Sequence, residues 1–247
     1  SSPEEIPTQA NGEDYSSKIQ KAKHIIAGFE YDINNLIDFQ LEGYIKDFSQ
    51  LTNINRNMTS NNDETFIIET GLAKGIDALL KYNTTKLYVW LVYSIGHVTR
   101  NDGVREYSPH FDRRHNINFV TSYKFGKSLD WKFDCRWNLG SGFPFTQTQG
   151  FFENITFSEG INTDYTSTNG ELGIEYAELN NGRLPYYHRL DLSLAKTIKI
   201  NKNSTLNITA SITNAYNREN IFYFNRVKYE RVNQLPLMPS LGMSLTF

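Results

Sequence analysis

The sequence predicts an all-β chain, a transmembrane antiparallel β-barrel segment of about nine strands. Three observations lead there. Apolar and polar residues alternate with a period of two along nearly the whole length, a pattern that no helix produces. The alternating runs exceed the roughly 5–6 residues usual in globular strands, and one of ~12 residues tilted by ~45° stands ~28 Å tall, close to an outer-membrane apolar band. The connections alternate between tight turns and long loops, the asymmetry of bacterial outer-membrane barrels rather than of lipocalin-like soluble ones.

Taken in order, the first run (22–33) sets Ile25, Ala27, Phe29, Tyr31 and Ile33 against Ile26, Gly28, Glu30 and Asp32. Asn34-Asn35 is a turn, and the second run sets Phe39, Leu41, Gly43 and Ile45 against Asp38, Gln40, Glu42 and Lys46. A loop over about 50–65 leads to the third run (76–82), the turn Asn83-Thr84-Thr85 and the fourth (87–95). After a loop at 97–112 come the fifth (117–125), the turn Gly126-Lys127-Ser128 and the sixth (129–139). The sixth is the clearest: Leu129, Trp131, Phe133, Cys135, Trp137 and Leu139 are expected toward lipid, with Asp130, Lys132, Asp134 and Arg136 opposite. A long extracellular loop is expected at 143–185, then a run at 190–194, the turn Asn201-Lys202-Asn203, a run at 206–212, a loop at 217–235 and a last run at 237–247.

Composition removes the rivals. The 247 residues carry 25 Lys+Arg against 27 Asp+Glu, which leaves no basic footprint for nucleic acid. A single cysteine, Cys135, excludes an internal disulfide framework and a Cys-based zinc site. Hydrophobic content of 39% is low, yet 14% aromatics argue against disorder. No apolar run approaches the roughly 20 residues of a membrane-spanning helix. The opening Ser-Ser-Pro-Glu-Glu does not read as a signal peptide. Five histidines, at 24, 97, 110, 115 and 188, show no HExxH-like spacing, and no nucleophile–base–acid set is legible. Neither a metal, a cofactor nor catalysis is therefore expected.

Candidate binding features remain. Asp130, Lys132, Asp134 and Arg136, with Arg189 and Asp191 on the next run, form a lumen-facing charge ladder suited to a hydrated interior or a polar plug. The stretch 143–182 holds six carboxylates and no Lys or Arg, together with Phe143, Phe145, Phe151, Phe152, Phe157, Tyr165 and Tyr176. Aromatic faces offer contact area for a sugar or peptide, and carboxylates attract cations or accept hydrogen bonds. Phe151, Phe152 and Tyr165 are the expected ligand contacts. Alternation at the end, Leu241, Met243, Leu245 and Phe247 against Ser240, Gly242, Ser244 and Thr246, has the form of a barrel's last strand.

Several short motifs occur in a telling order: Gly71-Leu72-Ala73-Lys74-Gly75-Ile76-Asp77; Asp112-Arg113-Arg114-His115-Asn116-Ile117-Asn118; Arg136-Trp137-Asn138-Leu139-Gly140-Ser141-Gly142-Phe143-Pro144-Phe145; Leu184-Pro185-Tyr186-Tyr187-His188-Arg189-Leu190-Asp191; and Ile212-Thr213-Asn214-Ala215-Tyr216-Asn217 before the Phe247 terminus. Over nearly the whole chain this order resembles the C-terminal part of Bacteroidetes-type TonB-dependent receptors. The resemblance implies a 22-stranded plugged barrel, of which this chain would be about strands fourteen to twenty-two. It implies the outer membrane as location, active uptake of a siderophore, glycan or peptide, and TonB and a plug domain as partners, with both the plug and the TonB box outside this chain. It implies barrel-assembly machinery that reads Phe247, surrounding outer-membrane lipid, and a possible surface lipoprotein or envelope-complex partner. The alternative is a receptor-like barrel kept as a scaffold subunit of a larger envelope complex. Single-chain barrels have even strand numbers, so an odd nine with its last strand ending at the periplasmic rim makes the first strand run inward. That puts 1–20 in an extracellular loop and makes the chain a piece of something larger.

Overall fold

The computed structural model describes residues 5–10, 13–56, 65–154, 171–228 and 230–247, and these contain strands, turns and loops with no helix. Two short strands, β1 (Glu5–Ala10) and β2 (Glu13–Lys18), pair as a hairpin within the stretch expected as a loop. The large sheet comprises β3 (Lys21–Ile33), β4 (Ile37–Ile54), β5 (Phe66–Asn83), β6 (Leu87–Asn101), β8 (His115–Phe125), β9 (Trp131–Gly140), β14 (Tyr187–Lys199), β15 (Thr205–Thr213) and β18 (Met238–Thr246). Those nine correspond one for one to the nine alternating runs. They lie side by side in chain order, each antiparallel to the next, with β7 (Glu106–Tyr107) added beside β6.

Residues directly opposite in an antiparallel pair share a face, so the register assigns every side chain to one side of the sheet. One row reads Ile33, Ile37, Tyr82, Val89, Thr121, Cys135, Leu192, Ile212, Pro239 across all nine strands. The next row on the other face begins Asp32, Asp38, Lys81, Trp90, Val120, Arg136, Asp191. The first face is apolar from edge to edge. A row leaving β3 at its turn end reaches β18 at its opposite end. That stagger is the shear a tilted barrel wall requires.

Among the described residues no second layer covers the apolar face. Among the described residues the buried apolar side chains are Leu51, Ala73 and Tyr107, while Ile25, Ile76, Leu241 and Met243 stand 50–74% exposed. A soluble sheet would bury that face against helices or another sheet. The largest fully buried side chains are instead polar, Glu69, Asn214 and Asp112, with Ser141 and Asn220 also buried. At the turn end of the apolar face, Tyr123, Phe125 and Trp131 stack in series, with the Lys196 ammonium 4.6 Å above the Trp131 ring. An aromatic rim with a snorkelling lysine is what a membrane boundary selects.

The two ends of the sheet differ. At one end the turns are tight. Asn34 and Asn35 both have φ 54°, and Leu36 N–H donates to the Ile33 carbonyl at 3.1 Å, a reversal that asparagine tolerates in the left-handed region. The β8–β9 turn uses Gly126 (φ 93°) and Leu129 (φ 53°). Leu129, expected as the first lipid-facing strand residue, is therefore a turn residue, and β9 starts at Trp131. At the other end the connections carry the short pairs β10 (Pro144–Phe145) with β13 (Gly182–Arg183), β11 (Thr148–Asn154) with β12 (Glu171–Tyr176), and β16 (Ile221–Asn225) with β17 (Glu230–Asn233).

Candidate functional site at the loop end

Three polar clusters fasten the loop end. In the first, a bulge between Phe48 and Leu51 keeps Leu51 opposite Glu69. The buried Glu69 carboxylate accepts from the Tyr107 hydroxyl at 2.8 Å and from Asn53 Nδ2 at 2.9 Å, and faces the Arg100 guanidinium at 3.4 Å. Burial, then the hydrogen bond to Glu69, pushes the Tyr107 phenol above its ordinary pKa. Four segments, β4 to β7, meet on that one carboxylate.

Asp112 centres the second cluster. Its Oδ1 accepts the Val98 amide at 2.9 Å, and its Oδ2 receives Arg114 Nε at 2.9 Å and the Arg183 guanidinium. Burial alone would raise this carboxyl, but the bonds from Arg183, Val98 and Arg114 outweigh it and hold the pKa below the ordinary carboxylate value. Arg183 also donates to the Asp112 and Gly142 carbonyls, tying β13 to the approach to β8. Gly142 is glycine because a Cβ there would lie 1.5 Å from the Leu184 carbonyl oxygen.

The third cluster closes β14, β15 and the loop before β18. Asn214, at φ 54°, receives the Arg218 amide at 2.9 Å and donates to the Arg218 and Leu235 carbonyls, while its own amide donates to Asp191 Oδ1 at 2.9 Å. Asn220 exchanges two hydrogen bonds with the His188 backbone.

Between the second and third clusters sits Arg113. Its guanidinium lies 4.1 Å from the Phe143 ring centre and 6.0 Å from that of Tyr187. Gly140 makes the seat, since a Cβ there would come within 2.4 Å of Arg113 Cζ. Burial lowers the basicity of this guanidinium. A cavity of about 280 Å³ opens beside it, walled by Phe143, Tyr186, Tyr187 and Phe222. A more polar cavity of about 550 Å³ lies between Arg105, Tyr107, Arg114, Asn180 and Arg183.

The predicted ladder divides. Lys132 and Asp134 pair along β9 at 2.9 Å, and Arg189 and Asp191 along β14 at 2.9 Å, all on the polar face. Arg136 lies across from Asp191 in register, but Asp191 is taken by Arg189 and the Asn214 amide. Asp130 stands apart. The left-handed Leu129 turns the chain before β9, and Asp130 bonds Lys196, which is opposite Trp131. In the acidic stretch, β11 and β12 form a hairpin in which Phe152 opposes Gly173 and covers it with its ring, leaving Phe152 52% exposed. Phe151 opposes Ile174, and Tyr165 lies outside the described residues. Arg226, from the β16–β17 connection, braces this hairpin by donating to Thr148 and lying 5.3 Å from the Tyr176 ring. Phe247 follows β18 almost fully exposed. Histidines 24, 110, 115 and 188 each meet an aromatic ring, of Phe48, Phe111, Tyr93 and Tyr216 respectively.

No family model matches the sequence, and no curated protein matches it. Solved structures do. The ferric-catecholate import receptor Fiu of E. coli K12 superposes with a TM-score of 0.63 at 14% identity, over 92% of this chain. The outer-membrane ferripyoverdine receptor of Pseudomonas aeruginosa, bound to ferripyoverdine, does so at 0.61 and 11%, again over 92%. The FpvAI–pyocin S2 complex matches at 0.58 and 12%. The sheet is similar to the barrel wall of TonB-dependent receptors. The chain spans 27% of the length of each of these receptors. In a receptor-like wall the polar clusters occupy one rim. The sequence motifs had contained Asp112, Arg113 and Asn214, but Glu69 carried no sequence signal, because its partners Asn53 and Tyr107 lie 16 and 38 residues away.

Proposed function

We propose that this chain is wall and outer rim of a Bacteroidetes-type TonB-dependent receptor that imports a siderophore, glycan or peptide across the bacterial outer membrane. One observation carries the reading: a predominantly apolar face runs across nine staggered strands, while the opposite face carries Asp32, Asp38, Lys81, Arg136 and Asp191 in one row. Only a lipid-lined wall around a hydrated interior satisfies both faces at once. The tight turns then lie at the periplasmic rim and the clustered loops outside. Lys132, Asp134, Arg136, Arg189 and Asp191 face the interior, where a plug domain would meet them. Phe151 and Phe152 stand on the outer hairpin as ligand contacts. The test is growth of a strain lacking the full-length gene on the nutrients its neighbourhood suggests, with and without TonB. Uptake lost in both mutants supports import. Uptake retained while an envelope complex falls apart supports the scaffold alternative instead.

A further inference from the structure

Arg113 differs from every other arginine at the loop end. Arg56 and Arg100 address Glu69, Arg105 addresses Asp102, Arg114 and Arg183 address Asp112, and Arg231 addresses Glu219. Arg218 donates to the Tyr186 carbonyl and Arg226 to Thr148. Among the described residues Arg113 has no carboxylate and no hydrogen-bond acceptor, and its Nε is buried without a partner. A half-buried cation without a counter-ion is costly unless something completes it. Aromatic stacking covers the flat face of the guanidinium but leaves the in-plane N–H donors unused.

Arg113 is among the residues lining the cavity of about 280 Å³, together with Phe143, Tyr186, Tyr187 and Phe222. A guanidinium fork matches a carboxylate bidentately. The surrounding rings offer faces and edges to a further ring. The volume lies at the small end of ligand cavities, suited to one ring rather than an extended chain. By contrast, Arg114 and Arg183 in the neighbouring polar cavity already have Asp112.

We propose that Arg113 and its aromatic cavity form a binding site for an aromatic carboxylate, either free or as the anionic ring of a larger ligand. This deepens the receptor reading by naming a ligand class for its outer rim, and it rests on that rim being open to the outside. Gly140 belongs to the site because it seats the guanidinium, and Phe222, 68% exposed, forms its outer wall.

The test uses the intact protein in detergent, titrated with benzoate and with benzamide, its neutral isostere, by calorimetry or saturation-transfer NMR. Benzoate is expected to bind saturably and benzamide at least about tenfold more weakly, because only benzoate gains charge-assisted hydrogen bonds. Arg113→Met should reduce benzoate to the benzamide level, and Phe222→Ala should weaken both. Equal binding of the two probes, unchanged benzoate binding in Arg113→Met, or no saturable benzoate binding at all would overturn the proposal. Should Arg113→Met fail to fold, the wild-type probe ratio and Phe222→Ala still decide it. Nutrient uptake is a separate readout: benzoate binding without any uptake ends the import reading and leaves this one, and the reverse result ends this one alone.

Discussion

At the scale of single residues, the most consequential side chain is Asp112, a fully buried carboxylate with three donors. Replacing it by Ala leaves Arg183 and Arg114 without their counter-charge, and losing one partner of a buried pair costs about 3–5 kcal/mol. Limited proteolysis should then cut between 140 and 186 in Asp112→Ala but not in wild type. Its depressed pKa means that the charged form belongs to the folded state. The stabilisation is therefore complete above the ordinary carboxylate range and disappears as pH falls through the lower folded value. The protection of the Val98 amide against hydrogen exchange, relative to its intrinsic rate at each pH, should fall in acid for the same reason. The turn asparagines act more modestly. Asn34→Ala or Asn35→Ala places a methyl side chain at φ 54° and should cost about 1–2 kcal/mol each, while glycine is tolerated, as urea midpoints would report. These turns were legible because Asn-Asn between alternating runs is itself the turn chemistry. The Asp112 cluster was half legible: its motif could be read, but Arg183, 71 residues away, could not be assigned to it.

Strands were legible to the extent that one face stayed apolar. β9 shows the alternation throughout, and its start was misplaced by two residues because Leu129 continues the pattern while its backbone turns. β4 and β5, each 18 residues long, extend well beyond the expected 38–46 and 76–82. Their upper halves hide the period for physical reasons. A bulge between Phe48 and Leu51 shifts the phase of β4, and Lys74 stands on the apolar face of β5 between Leu72 and Ile76. Element-level substitutions should respect the two faces. Leu91→Arg, in the middle of the apolar face of β6, is expected to cost about 2–4 kcal/mol in a bilayer, whereas Asn118→Arg on the polar face of β8 should cost little. Heat-modifiability on gels of the full-length protein distinguishes the two.

For the molecule as a whole, the receptor reading proposed above predicts selectivity at the loop end, where loops stand on a rigid scaffold. Removing 147–180 from the full-length protein deletes the β11–β12 hairpin and the Arg226 contact while leaving every strand of the large sheet intact. Uptake or partner capture should fall while membrane insertion persists; unchanged uptake and capture would mark the hairpin as solvated decoration. No sequence pattern could reveal that this hairpin is braced by the loop at 217–235, since the brace joins residues 78 apart.

Among the nine long strands of the large sheet, each lies beside the previous and the next of the nine, with β3 and β18 at the edges. No strand of the nine crosses over another, although β9 waits for β14 across the connection at 141–186, and β15 waits for β18 across that at 214–237. The wall can accordingly be zipped up hairpin by hairpin in the order of synthesis. The same sequential order makes the hairpin the smallest piece that could be added or removed without breaking the order of the rest. Duplicating or losing one would widen or narrow the sheet by two strands while the pairing on either side keeps its register.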